Sequence, residues 1–255
     1  MQILFDKGST QVQVHIETGH RLVTLFQAIK DQGWDSAIGP DRITRESLEG
    51  VNCLVILTRH RATAPGYVNP FPGDWDFAFM ESELKAILDF NMAGGGLLLI
   101  SNHGPFAKGG HDFTTHDRVL AAQFGVTINP AAYQMRKGPL TMTLKNFDPN
   151  PNVRANLLSG VDSIKPHNSC AISAAGCVPL SAIPDDAVNV SPTFPDGPAG
   201  QAFALVVAPN CGQIIVAGNS GIAGDADSDY PAKGMIEAGS NLRFLIDALN
   251  WVSSS

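Results

Sequence analysis

Residues able to do acid–base, nucleophilic or metal chemistry concentrate in one short stretch: Ser101-Asn102-His103-Gly104-Pro105, then His111-Asp112 and His116-Asp117. Imidazole beside carboxylate has two uses. It can ligate a divalent cation such as zinc, or it can act as a general base held by an orienting acid. His103, His111 and His116 are therefore the candidate ligands for a divalent metal. His103, His116, Asp112 and Ser101 are the candidate acid–base and nucleophilic groups. The histidine spacing matches no named zinc pattern. Loop histidines that only cap or face water are the plain alternative.

A second set of candidates comes from where the apolar runs stop. Ile3–Phe5 runs into Asp6, Cys53–Leu57 into Thr58-Arg59-His60-Arg61, Leu97–Ile100 into Ser101-Asn102, and Ile214–Ala217 into Gly218-Asn219-Ser220. In an open parallel α/β sheet, ligands sit beyond the carboxyl ends of the strands, near the point where strand order reverses. Asp6, Arg59, His60, Asn102, Asn219 and Ser220 are accordingly expected to bind substrate. Arg59 would hold an anionic group, because guanidinium offers a planar fork of donors. For any one set, a merely wet strand end explains the polarity as well; four sets on one edge favour a pocket.

Two further motifs depart from the patterns they begin, the first leaving a solvated acidic turn or a calcium site of another kind. Asp225-Ala226-Asp227-Ser228-Asp229 begins like a calcium loop, but Tyr230 stands where glycine is needed and Ile236 where the bidentate glutamate is needed. Gly94-Gly95-Gly96 precedes an apolar run instead of joining a strand to a helix, so it reads as a helix stop and not as a phosphate cradle.

The elements that must position these residues alternate in the first half. Strands are expected at Ile3–Phe5, Ser36–Ile38, Cys53–Leu57 and Leu97–Ile100. Helices are expected around Leu22–Ile29, at Thr44–Leu48, at Glu81–Asn91 and at Asp117–Phe124. This order predicts a three-layer α/β sandwich, a mostly parallel central sheet with helices on both faces. The second half carries turn signals and short strand candidates: Leu140–Leu144, Cys170–Ser173, Val178–Ala182 and Phe203–Val207. These read as antiparallel β additions at the sheet edge. Ile214–Ala217 is one more buried strand, and Asn241 is expected to cap a closing helix. The long stretch 59–77 carries Tyr67, Phe71, Trp75 and Phe77, which would form a lid or simply anchor a loop. No linker divides the chain, so a single domain over residues 1–255 is expected.

Composition narrows the classes. The 255 residues carry 17 Lys plus Arg against 24 Asp plus Glu, a formal charge of −7. That balance disfavours nucleic acid and anionic lipid as partners. No apolar run nears the ~20 residues that span a bilayer, and no secretory leader is visible. Cys53, Cys170, Cys177 and Cys211 fit no metal spacing and read as free thiols in a reducing compartment. A soluble, cytoplasmic protein with a small-molecule substrate is expected, and homo-oligomerisation is left open.

Several segments together are similar to a known group. These are Ile3-Leu4-Phe5-Asp6; Ile43-Thr44 with Glu46 and Leu48; Gly94–Gly96 leading into LLLIS; Asn168–Ile172; Gly212–Asn219; and Asn241-Leu242-Arg243-Phe244 through Asn250-Trp251. They resemble the class I glutamine amidotransferase-like superfamily, in particular its non-amidotransferase branch of gliding-motility and intraflagellar-transport proteins. The resemblance covers most of the chain and implies a flavodoxin-like sheet with the site at the strand ends. Amidotransferases place a nucleophilic cysteine on the turn after the strand equivalent to Leu97–Ile100. Here that turn is Ser101-Asn102-His103-Gly104, so glutamine hydrolysis is disfavoured. Ser101 as a substitute nucleophile would need His103 or His116 as base and lacks a G-x-S-x-G elbow. Two functions follow. The first is a hydrolase-like enzyme using His-mediated, optionally metal-assisted, chemistry on a small polar substrate, anionic or carbohydrate-like. The second is a non-catalytic ligand-binding or assembly module on the same fold.

Overall fold

Runs such as CLVIL and LLLI have no polar face, so both sides of the sheet they form must be covered. The computed structural model describes residues 1–59, 78–105, 112–147, 156–175, 177–191, 202–207, 212–226 and 235–254. Its first half comprises β1 (Gln2–Phe5), α1 (Thr10–Thr18), α2 (Val23–Asp31), β2 (Asp35–Ile38), β3 (Cys53–Leu57), α3 (Glu81–Met92), β4 (Gly96–Ile100) and α4 (Thr115–Ala122). The second half adds β5 (Val126–Gln134), β6 (Met142–Thr143), β7 (Ser163–Ile164), β8 (Ser169–Ala174), β9 (Val178–Ala182), β10 (Val188–Asn189), β11 (Ala202–Val207), β12 (Ile214–Ala217) and α5 (Asn241–Val252).

The main sheet runs β10-β5-β8-β11-β12-β4-β3-β1-β2, with β9 also paired to β11. Strands β2, β1, β3, β4 and β12 are mutually parallel. Their order, with β2 alone beyond β1 and with β4 and β12 beyond β3, is the flavodoxin-like doubly wound arrangement, whose order reverses between β1 and β3. From β11 outward the pairings are antiparallel. The expected mixed α/β sheet is therefore present, and the antiparallel strands extend it beyond β12.

Alternation along each strand assigns the two faces. Ile3, Phe5, Val55, Leu57, Leu98 and Ile100 pack with Val12, Leu25, Ile29, Phe244 and Leu245, from α1, α2 and α5. Leu4, Leu54, Ile56, Leu97 and Leu99 pack with Ala86, Ile87 and Leu120, from α3 and α4. Burying each such aliphatic side chain contributes roughly 1.5–3 kcal/mol, and the two cores clamp the parallel strands so that their carboxyl ends share one rim.

Several boundaries differ from expectation for physical reasons. Helix α1 was not anticipated: Val12, Val14 and Ile16 alternate like a strand, and only Gln11 and Val12 of the helix are buried. Strand β5 was missed because Pro130 interrupts it; the pairing with β8 shifts register between Asn129 and Tyr133, which accommodates the proline. The short helix near Thr44 is a single 3-10 turn, Glu46–Leu48. Residues 140–144 do not join the main sheet; Met142 and Thr143 pair with β7 in a separate ribbon. Asn241 does not cap α5. Ser240 holds the cap position, and the Asn241 amide instead bonds the Lys165 carbonyl (3.0 Å) and the Met235 carbonyl, and accepts from the Lys165 N–H (2.8 Å). Among the described residues no helix is long and apolar enough to cross a membrane.

Candidate functional site

The tips of β1, β3, β4 and β12 meet, and charge gathers between β1 and β3. Arg59, immediately after β3, is 1% exposed. Its Nε donates to Asp6 Oδ2 (2.8 Å), and its Nη2 donates to Asp6 Oδ1 (2.6 Å) and Glu83 Oε1 (3.0 Å). Phe79 lies 4.0 Å from the guanidinium carbon, ring face on. Asp6 also accepts from the Gly8 N–H and the Ser9 hydroxyl. Glu83 accepts from the N–H groups of Ile43 and Met80 and from Arg42. Burial alone would lower the Arg59 pKa, but Asp6 and Glu83 raise it, so the guanidinium stays charged. Burial pushes the Glu83 carboxyl up, and the hydrogen bond and charge of Arg59 outweigh it, leaving Glu83 below the ordinary glutamate value. Gly8 is needed here, because a Cβ on it would stand 2.8 Å from Arg59 Nε.

Thr58 makes the turn out of β3 with φ +60°, a conformation costly for a β-branched residue. The turn sends its carbonyl to the Thr10 N–H at the start of α1 (2.7 Å). It also points the Arg59 N–H at Asp117 Oδ1 (2.9 Å). The Thr58 hydroxyl donates to the Ile100 carbonyl and lies 3.0 Å from Ser220 Oγ. One strained residue thus ties β3 to α1, α4, β4 and β12.

Below the rim, Ser101 at the end of β4 is fully buried and its hydroxyl donates to Asp117 Oδ2 (2.7 Å). Asp117 lies in the first turn of α4, also fully buried. Burial is the main reason its pKa rises to about 7, with the Asp6 charge adding to the rise. The Arg59 N–H, the Ser101 hydroxyl and the Arg59 charge oppose it.

Between β4 and β12 the groups are carboxamides and a hydroxyl, backed by the buried Arg21. Asn219 Nδ2 donates to Asn102 Oδ1 (3.2 Å) and Asn168 Oδ1 (2.8 Å), while Asn219 Oδ1 accepts from the Gly221 N–H. Gln11 Nε2 donates to Ser220 Oγ (3.2 Å), and Arg21 Nε donates to Gln11 Oε1 (2.7 Å). Asn219 and Asn168 are buried, whereas Asn102 is half-buried and opens to the rim.

The expected site residues sort as follows. Asp6, Arg59, Ser101, Asn102, Asn219 and Ser220 are brought to one rim, but Arg59 and Asp6 bind each other instead of facing outward. His103 is buried; its Nδ1 lies 2.6 Å from the Gly104 carbonyl and its ring packs on Phe113. Asp112 accepts from Thr114 and from Arg118 Nη2, which holds the start of α4. His116 is half-buried on α4. His60, His111 and Cys211, with Arg61, the aromatics at 67, 71, 75 and 77, and Asp227 and Asp229, lie outside the described residues. Among the described residues no three His, Cys, Asp or Glu side chains are grouped to hold a metal ion. Cys53 and Cys170 are buried free thiols, and burial pushes Cys53 up to about 12.

Glu83 and Asp117 were not among the expected site residues. Glu83 falls within the expected helix Glu81–Asn91, where the sequence gives it no role of its own. Asp117 looked like the companion of His116. Their signal was position: each falls in the first turn of a helix, where a carboxylate finds N–H donors.

The turn after β4 is fixed from beneath. A Cβ on Gly104 would come within 1.3 Å of the Pro130 carbonyl oxygen. Gly104→Ala is expected to lower stability by roughly 2–4 kcal/mol, by overpacking at a site with no room. Chemical denaturation would check it, and a loss below about 0.5 kcal/mol would show that the turn moves freely.

No family model and no curated protein matches the sequence. Solved structures do. The mmIFT52 N-terminal domain matches with a TM-score of 0.68 at 13% identity, covering 99% of this chain and 98% of that chain. A cytoplasmic protein of Salmonella typhimurium LT2 matches at 0.58 and 14% identity, covering 99% of both. A ThuA-like protein of Bacteroides uniformis ATCC 8492 matches at 0.53 and 15% identity, covering 98% and 90%. At these identities the likeness defines the fold: a flavodoxin-like, amidotransferase-like α/β sandwich.

Proposed function

We propose that this chain is a small-ligand-binding module of the non-amidotransferase branch, acting at the rim between β4 and β12 without covalent catalysis. The observation that carries the reading is the state of Ser101. It holds the place where amidotransferases carry their nucleophile, it is fully buried, and its hydroxyl donates to Asp117. A working nucleophile must be reachable by the substrate and paired with a base able to take its proton in an open site. The −7 charge supports a small molecule over nucleic acid or lipid as partner, and the free buried thiols support a cytoplasmic location.

The hydrolase reading is the second one, and Asp117 favours it: a carboxyl titrating near 7 beside a serine hydroxyl suits general-base work. A fluorophosphonate probe separates the two. Intact mass after incubation at pH 8 is expected to show no adduct. A stoichiometric adduct that disappears in Ser101→Ala would overturn the binding module and establish a serine hydrolase.

A further inference from the structure

We propose that the corner between α1 and α2 is a pH-sensitive latch: neutral His15 pins α1 to the start of α2, and a proton on its ring frees α1 while the sheet stays folded. His15 closes the corner twice. Its carbonyl accepts the N–H of Gly19 (2.7 Å), which ends α1 in the left-handed conformation (φ +73°). Its ring nitrogen Nδ1 accepts the Leu22 N–H (3.2 Å), and the ring stands edge-to-face with Phe26 of α2, 5.0 Å between centroids. Leu22 is the N-cap of α2, and its side chain has no oxygen to cap with. The start of α2 is therefore held from outside, by His15 at Leu22 and by Asp225 Oδ2 at the Thr24 N–H (3.0 Å).

An Nδ1 that accepts is unprotonated, so the neutral ring carries its hydrogen on Nε2. Protonation sets two donors against each other at Leu22 and places a positive charge at the positive end of the α2 dipole. Burial, the largest influence, lowers the His15 pKa from the ordinary 6.5; the Asp225 carboxylate raises it, and the exposed His20 lowers it. Of the other charged groups described at the corner, Arg21 turns its guanidinium to Gln11 and the Asp225 carbonyl, and Glu17 is exposed on α1. A folded value below the unfolded one makes this contribution complete above 6.5 and lost as pH falls from there through the folded value. The loss falls on α1, because only Gln11 and Val12 of its nine residues are buried. The helix touches the strand ends through the Thr10 N–H on the Thr58 carbonyl (2.7 Å) and Gln11 Nε2 on Ser220 Oγ (3.2 Å), so it carries the acid response to the tips of β3 and β12.

Hydrogen–deuterium exchange of the full chain near pH 7.5 and pH 5, corrected for the intrinsic rate, tests the latch with His15→Asn beside the parent. The asparagine Oδ1 accepts where Nδ1 did and does not titrate, and its helix propensity is close to that of histidine. In the parent, protection of the α1 amides is expected to fall roughly 5-fold or more on acidification, the factor for one lost hydrogen bond, while protection in β3 and β4 holds. In His15→Asn the α1 protection should not change with pH. Equal losses in the two proteins, no loss in the parent, or a loss shared alike by α1, β3 and β4 would overturn the latch. Should the variant fail to fold, the parent decides alone. NMR titration of the His15 ring C–H resonance should give a pKa below the ordinary 6.5, and a value at or above it overturns the proposal.

Discussion

Arg59→Met is expected to remove about 3–5 kcal/mol of stability, the loss typical of breaking a buried ion pair from one side. The effect is large because Asp6 and Glu83 are each about 1% exposed or less in their side chains and lose their common counter-charge together. For a chain of this size the change corresponds to a melting temperature lower by roughly 6–20 °C. Two controls decide the cause. Asp6→Asn added to Arg59→Met should recover part of the loss, since one stranded carboxylate is then gone. The acid limb should also change. Glu83 has a folded pKa below its unfolded value, so its contribution is present above the unfolded value and is lost as pH falls through the folded one. Without Arg59 that depression shrinks, and the variant should lose less additional stability between neutral and acid pH than the parent. A loss under about 1 kcal/mol at pH 7 would mean that the crevice is wet and the pair contributes little.

The same ion pair shows what was legible in the sequence and what was not. The parallel order of β1, β3, β4 and β12 followed from continuous branched runs, and the polar residues behind those runs did arrive at one rim. Whether a polar residue at a strand end faces a ligand or a neighbour depends on partners far away in sequence. Arg59 meets Asp6 across 53 positions, and Ser220 meets Gln11 across 209. No local pattern encodes those distances. Thr58 gave no warning of its left-handed turn, because threonine is a poor residue for that conformation and nothing nearby advertises it. The histidine cluster drew attention by count, but proximity along the chain is not convergence in space. The buried ring of His103 turns to its own turn's carbonyl and to Phe113. Asn168 appeared in the sequence only through resemblance, and its place beside Asn219 emerged from the pairing of β8 with the strands around it.

The chain's own Arg59 closes the crevice between β1 and β3. In a doubly wound sheet the crevice where the order reverses is the usual ligand position. Here a guanidinium, two carboxylates and a phenyl ring fill it. Beside β4 and β12 lies a set of carboxamides, buried except for the half-buried Asn102, whose shared hydrogen bonds hold them in register. Rigidity of that kind serves recognition, because little side-chain entropy is lost when a ligand arrives. The Ser101 hydroxyl is likewise committed, donating to Asp117.

Asp117→Asn is expected to stabilise the protein at pH 8 and to leave it nearly unchanged near pH 4. The folded Asp117 titrates near 7, against an ordinary value of 3.8. Between those values the folded state holds a proton that the unfolded state has released. Stability therefore falls as pH rises through this window, by an amount on the order of 4 kcal/mol once the carboxyl is ionised in both states. Asparagine copies the protonated acid. Its Oδ1 can still accept from the Arg59 N–H, its Nδ2 can donate to Ser101 Oγ, and it carries no charge to desolvate. Melting curves of parent and variant at pH 4, 6 and 8 should diverge progressively, with the variant higher at pH 8. A variant less stable than the parent at pH 8 would mean that the ionised carboxylate is held by Arg59 more strongly than burial opposes it. The Arg59–Asp117 backbone contact would then be part of one charged hub with Asp6 and Glu83, and Arg59→Met would be expected to cost more at pH 8 than at pH 6.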